Sequence, residues 1–274
     1  MSSALENNRD MMGDFLSRIG DMDGKIASTK LDNRYIYEPC TAVPLVSAAD
    51  QADGTILAAG TTARGFRGST PSSSWTGSPC GTTQTLAGPF RTTDGWAMAG
   101  DLTNNDIMEY GPAGYTLADC PQSFVVGSDE ACFFRCKFKV ADVSGSDLTV
   151  MGFRKQEAAN GTFTSYTDYA VIGHVSGDIV IKTELNSGGT TTVDTTQNWA
   201  DGETHTLVVK VSAAGVVTFE VDGAAPTVTT TFTFDTGDRI VPVFYILHDA
   251  TSPGQITWRE VEVGPQPSRR VALV

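Results

Sequence analysis

The sequence predicts an all-β fold, a two-layer sandwich preceded by an N-terminal helix and an extended arm. Three observations carry it. Residues 131–140 alternate, with Cys132, Phe134, Cys136, Phe138 and Val140 on one face and Phe133, Arg135, Lys137 and Lys139 on the other, the two-residue period of a strand with one dry side. Residues 206–211 and 216–222 set Leu207, Val209 and Val211 against Val217, Phe219 and Val221, and the intervening Ser212-Ala213-Ala214-Gly215 suits a hairpin loop. Composition agrees: 28 glycines and abundant threonine, with only 19 lysines and arginines in 274 residues, favour strands and turns over helices. A sheet with one apolar face needs a second layer, hence a sandwich.

In chain order, residues 3–19 gather Leu5, Met12, Phe15, Leu16 and Ile19 into one helical stripe that ends at Gly20. This helix either docks on its own sandwich or attaches to a partner or to copies of the chain. The stretch 21–51 scatters apolar residues, Tyr35, Ile36 and Tyr37 among them, interrupted by Pro39 and Pro44. It reads as an arm laid over another surface. Residues 1–50 are therefore a helix and docking arm, with Leu5, Met12, Phe15, Leu16, Ile19, Tyr35 and Tyr37 as candidate partner-docking residues. Residues 51–88 are too rich in glycine, serine and threonine to supply a core. Their Trp75 is a sugar-stacking platform, an interface anchor or a pin for its own loop.

The sandwich spans residues 89–264, and 265–274 form a short tail. Short strands divided by turn residues open it, followed by a turn at 142–147, a strand at 148–154 and a loop at 157–167. Residues 168–175 and 178–185 face each other across Ser176-Gly177 as a second hairpin. Residues 227–234 then hold Val228, Phe232 and Phe234 among threonines. Residues 239–247 are the most apolar strand, in which Pro242 forbids one ladder hydrogen bond and asks for an edge or a bulge. In the last strand Ile256 and Trp258 share one parity and Val261 and Val263 the other, so a bulge near Arg259 is expected.

A net charge of −13 and the lack of a dense basic stripe exclude nucleic acid and an anionic membrane surface as partners. No apolar run is long enough to cross a bilayer, and the polar, acidic start is not a signal peptide. The five cysteines are not spaced as a small disulfide scaffold. Cys132 and Cys136 lie roughly 13 Å apart along one strand and read as small buried hydrophobes.

The segment Trp199-Ala200-Asp201-Gly202-Glu203-Thr204-His205, the strand after it, and Val217 through Asp222-Gly223 resemble the concanavalin-like, or laminin-G-like, jelly-roll sandwiches, over roughly residues 89–263. The whole chain, with a lectin-like domain behind an arm, also resembles accessory virion proteins of tailed bacteriophages. The first resemblance implies a fold that hosts lectins, hydrolases, adhesion modules and virion parts. The second implies a non-catalytic structural protein of a phage head or tail, made in the host cytoplasm. Its partners would be capsid or tail proteins and its own copies, with a cell-surface glycan as the alternative partner.

Sugar-cleaving members of the sandwich superfamily resemble one another in an E-x-D-x-x-E array on one strand, which presents an acid and a nucleophile on one face. Here Glu220/Asp222 and Glu260/Glu262 form same-face pairs without a third carboxylate, and they read as wet-face charges. His174, His205 and His248 are dispersed and form no short ligand motif; His205 is expected to brace the hairpin beside Trp199. The acidic turns Asp142/Asp147 and Asp235/Asp238 match no calcium loop and read as turn caps. No catalytic residue, metal ligand or cofactor is assigned. A glycan would be held by rim aromatics beside amides and carboxylates. The candidates are Asn160, Phe163, Tyr166 and Asp168, with Trp75, and a second patch at Tyr245 and His248.

Overall fold

The computed structural model describes residues 36–38, 75–79, 90–92, 94–98, 107–112, 123–158, 160–248 and 256–266. The expected helix with Leu5, Met12, Phe15, Leu16 and Ile19 lies outside the described residues, as does Tyr35. The described residues form two antiparallel sheets of eight strands each, within a unit spanning Arg34–Val274. The first runs β14 (Phe232–Thr233), β13 (Val216–Val221), β12 (Thr204–Val211), β7 (Cys132–Val140), β16 (Ile256–Pro265), β4 (Gly95–Met98), β3 (Phe90–Thr92), with β1 (Ile36–Glu38) also paired to β16. The second runs β11 (Thr191–Asn198), β10 (Asp178–Glu184), β9 (Tyr169–Val175), β8 (Ser146–Lys155), β15 (Arg239–His248), β5 (Ile107–Pro112), β2 (Trp75–Pro79), with β6 (Phe124–Val125) also on β15.

The alternation in β7 does what its period requires. Phe134, Cys136, Phe138 and Val140 enter the layer between the sheets and meet Met151, Phe153, Ile172, Ile181, Phe244 and Ile246 from the other side. The ring of Phe138 lies 5.1 Å from that of Phe244, edge to face, and that of Phe134 lies 6.5 Å from Phe153. Cys132 and Cys136 are both buried in this layer, as small hydrophobes are. His174 is wholly buried here too, its ring 5.7 Å from that of Trp199, and neither ring nitrogen has a hydrogen-bond partner among the described residues. Loss of solvation lowers its pKa from 6.5 to about 4, so it is a neutral core residue.

Both predicted hairpins form. Leu207, Val209 and Val211 register against Val221, Phe219 and Val217. β9 and β10 join through Ser176 and Gly177, both at positive φ (50° and 98°), as a two-residue hairpin turn with right-handed strand twist requires. The expected bulge is present: the β16–β7 register shifts between Trp258 and Glu260, so both apolar pairs of β16 face the core. His205 braces its hairpin as expected, with its ring 4.6 Å from that of Trp199 and Nδ1 2.6 Å from Asp222 Oδ2.

Several expectations are corrected. Pro242 sits neither on an edge strand nor at a bulge. Among the described residues β15 is flanked by β8 on one side, and on the other by β6 at Arg239–Ile240 and β5 at Phe244–Leu247; Pro242 falls between these two pairings, where its missing N–H is not called on. The turn expected at 142–147 is a short 3₁₀ turn, Val143–Gly145, capped by Asp142 accepting from the Ser144 N–H at 2.9 Å, and β8 already begins at Ser146. The threonine-rich stretch 227–234 contributes only the short strand Phe232–Thr233. Glu262 is not a wet-face charge: it is 1% exposed, in register with Arg135, whose Nη1 lies 3.9 Å from its Oε2. Two strands also come from upstream of residue 89. Tyr37 lies in β1, in register with Glu262, and Trp75 in β2, in register with Pro112.

β11 forms one edge of the second sheet. Its register against β10 slips between Ile179 and Val180, and Thr196 there takes a positive φ of 65°.

Candidate binding site

Three segments meet at the rim of the second sheet. β8 ends at Lys155, β9 begins at Tyr169, and the chain after β10 turns back at Asn186 and Ser187. The Lys155 N–H donates to the Asp168 carbonyl at 2.8 Å, closing the first two ends together. Asn186 and Ser187 both have positive φ, 53° and 55°, a conformation non-glycine residues hold only when other contacts impose it. Those contacts are visible: the Asn186 N–H donates to Asp168 Oδ1 at 2.6 Å, its side-chain amide to Asp235 Oδ2 at 2.8 Å, and the Ser187 N–H to the Thr167 carbonyl at 2.9 Å.

These segments enclose an open cleft of about 420 Å³ whose walls are Lys155, Gln156 and Glu157 on one side and Thr167, Asp168, Asn186 and Ser187 on the other. Every lining residue is polar. Lys155 Nζ stands 3.1 Å from Asp168 Oδ2 and 2.7 Å from Asp238 Oδ1. The hydrogen bond to Asp238 raises the lysine pKa, partial burial opposes it, and Asp168 adds to the rise, so the ammonium is firmly charged. Glu157 Oε1 accepts from the Thr167 N–H at 2.8 Å and from its hydroxyl at 3.2 Å. Gln156 differs from its neighbours: both polar atoms of its side-chain amide are buried, and neither has a hydrogen-bond partner among the described residues.

Of the predicted glycan residues, only part reaches this cleft. Asp168 does, although wholly buried and engaged as a structural acceptor. Phe163 (3% exposed) and Tyr166 (0%) are not rim aromatics. They fold down on the outer face of the second sheet, where Phe163 packs at 4.7 Å from Tyr169 and 4.8 Å from Tyr245, ring centre to ring centre. The reason is the strands beneath: Leu148, Val150, Val171, Val243 and Tyr245 make this outer face apolar too, and it demands cover. Asn160 is half-buried and donates its N–H to Tyr166 Oη at 2.9 Å. The second patch fails likewise, since Tyr245 and His248 are both 1% exposed. The aspartates of the acidic turns hold neighbouring chain, Asp142 as a cap and Asp235 and Asp238 as acceptors for Asn186 and Lys155. Among the described residues, no group of three or more His, Cys, Asp or Glu is disposed to hold a metal ion.

Beneath the cleft lies a cluster that sequence reading does not single out. Arg154 Nη2 donates to Glu109 Oε1 at 2.8 Å, both side chains being fully buried. Tyr166 donates its hydroxyl to Glu109 Oε2, and its ring lies under the Arg154 guanidinium, 4.4 Å from Cζ to ring centre. Burial and the Glu109 charge push the Tyr166 pKa far up, so it stays a phenol and a donor.

No protein-family model matches the chain, and no curated protein matches it in sequence. Among solved structures, a protein of unknown function from Shewanella oneidensis MR-1 is similar with a TM-score of 0.46 and 11% identity, over 81% of this chain and 95% of that one. The potassium-bound carbohydrate recognition domain of Emp46p is similar at 0.44 and 9%, over 69% of this chain and 87% of that one. The receptor-binding domain of botulinum neurotoxin D is similar at 0.43 and 10%, over 74% of this chain and 47% of that one. None of the three, at these scores, decides a family or a function for this chain.

Proposed function

We propose that this chain is a non-catalytic recognition protein, a sandwich of the concanavalin-like jelly-roll type whose rim cleft binds a polyhydroxylated ligand, a carbohydrate. The observation that carries this reading is the lining of the cleft, in which every residue is polar and side-chain amides, hydroxyls and carboxylates stand together. Gln156 lines it with Glu157, Asn186 and Ser187. Hydroxyl groups, which donate and accept at once, complete such a set. Asp168 and Asp238 contact the Lys155 ammonium, while the Glu157 and Asp235 carboxylates hold the cleft residues Thr167 and Asn186, a balance of charge that disfavours strongly anionic ligands. The test is a glycan panel probed with the wild-type chain and with Gln156→Ala. Binding to a neutral glycan that Gln156→Ala weakens about tenfold, the scale of one hydrogen bond, supports the reading. Binding unaffected by that substitution, or no binding to any glycan, overturns it.

A role as an accessory virion component, docked through residues 1–50, is a second proposal. β1 favours a close tie between arm and sandwich, because part of this segment is already a strand of the first sheet. It also dictates the test: removing residues 1–50 would strip β16 of a neighbour, so substitutions are required. Phe15→Ala with Leu16→Ala, followed by light scattering and capsid- or tail-binding assays, should abolish assembly while leaving the sandwich folded. Unchanged assembly overturns docking through the helix.

A further inference from the structure

We infer that Arg154 and Glu109, buried behind the rim cleft, are positioning residues that hold it open in one shape. This rests on the binding reading above and concerns how the same site is kept ready. Arg154 faces away from the inter-sheet layer, yet its guanidinium organises the chain that leaves β8. Nη1 donates to the carbonyls of Lys155 and Glu157, at 2.8 and 3.0 Å, while Nη2 is held by Glu109. The turn so fixed aims the Glu157 carboxylate at the N–H and hydroxyl of Thr167. Thr167 in turn holds Ser187 through its carbonyl. Tyr166, one residue before Thr167, is locked from below by Glu109 and Arg154. Both walls of the cleft are thus referred back to one buried ion pair, on strands that are 45 residues apart in sequence. A fork is needed for this, since only a guanidinium can serve two carbonyls and a carboxylate from one fixed plane.

The test is amide hydrogen exchange on the full chain, which needs no ligand. In Arg154→Lys the charge remains and the fork is lost. The Thr167 and Ser187 amides are expected to exchange about ten- to a hundred-fold faster, the equivalent of one hydrogen bond to a charged group, while Ile181 and Val209 keep their protection. A role limited to balancing the Glu109 charge would be rescued by lysine and show no change. Two further variants guard against misfolding: the paired replacement Arg154→Met with Glu109→Met, and Tyr166→Phe, which removes only the phenol hydroxyl. Both are expected to release Thr167. Wild-type exchange at Thr167 and Ser187 in these variants, or acceleration matched at Ile181 and Val209, overturns the inference. A glycan panel without a hit would defeat the binding reading and leave the exchange result standing, so the two fail separately.

Discussion

The two sheets have opposite outer faces. On the first, Arg135 pairs with Glu260 at 2.6 Å, and Lys210 pairs with Glu220, all four side chains partly open to solvent. On the second, Phe163 and Tyr166 seal a layer of valines and tyrosines over a fully buried Arg154–Glu109 pair. The same kind of ion pair therefore sits in two dielectric settings. In water its attraction is largely screened and offset by side-chain entropy, whereas in the dry layer each charge depends on its partner.

The largest effect should come from breaking the dry pair on one side only. Glu109→Ala strands a buried guanidinium and should destabilise the fold by about 3–5 kcal/mol, read from urea unfolding. Replacing both partners with methionine should cost far less; equal losses would erase the contrast. Phe163→Ala should cost about 3–5 kcal/mol, as for a large aromatic deleted from a core. A loss below about 1 kcal/mol, the scale of an ordinary surface substitution, would mean the outer layer is not truly dry.

Next comes pH. The folded pKa of His174 is depressed from 6.5 to about 4, so in that window the unfolded chain takes up a proton that the native one does not. Its contribution is complete above about pH 6.5 and is lost as pH falls toward 4, to an extent of about 3 kcal/mol. Urea midpoints for wild type should drop more steeply between pH 7.5 and 4.5 than those of His174→Leu; parallel curves would show that this ring does not sense acid. The smallest effect belongs to the wet face, where Lys210→Met should change stability by no more than about 1 kcal/mol.

What the sequence discloses follows this division. The hairpins at Ser176-Gly177 and Ser212–Gly215, the phase change at Arg259 and the brace of His205 on Trp199 are local, set by residues a few positions apart, and each is legible from spacing alone. The outer face of the second sheet is not. A two-residue period says that two faces differ without saying that both are covered, so Phe163 and Tyr166 look like rim aromatics and Arg154 draws no notice. Glu109 belongs to a short strand, and nothing in its neighbourhood announces an arginine partner 45 residues later. The cleft is partly legible through Asp168. Gln156 and Asn186 escape notice because lone amides in loops carry no motif, and their meeting depends on the pairing of β8, β9 and β10.

The slip in β11 has a consequence for life at high concentration. An outermost strand presents unsatisfied main-chain groups, a template on which another flat strand can grow. Here the chain kinks at Thr196 and leaves the straight line. An incoming strand would lose its alignment partway along, so the threonine-rich border of the second sheet is a poor seed for fibrils.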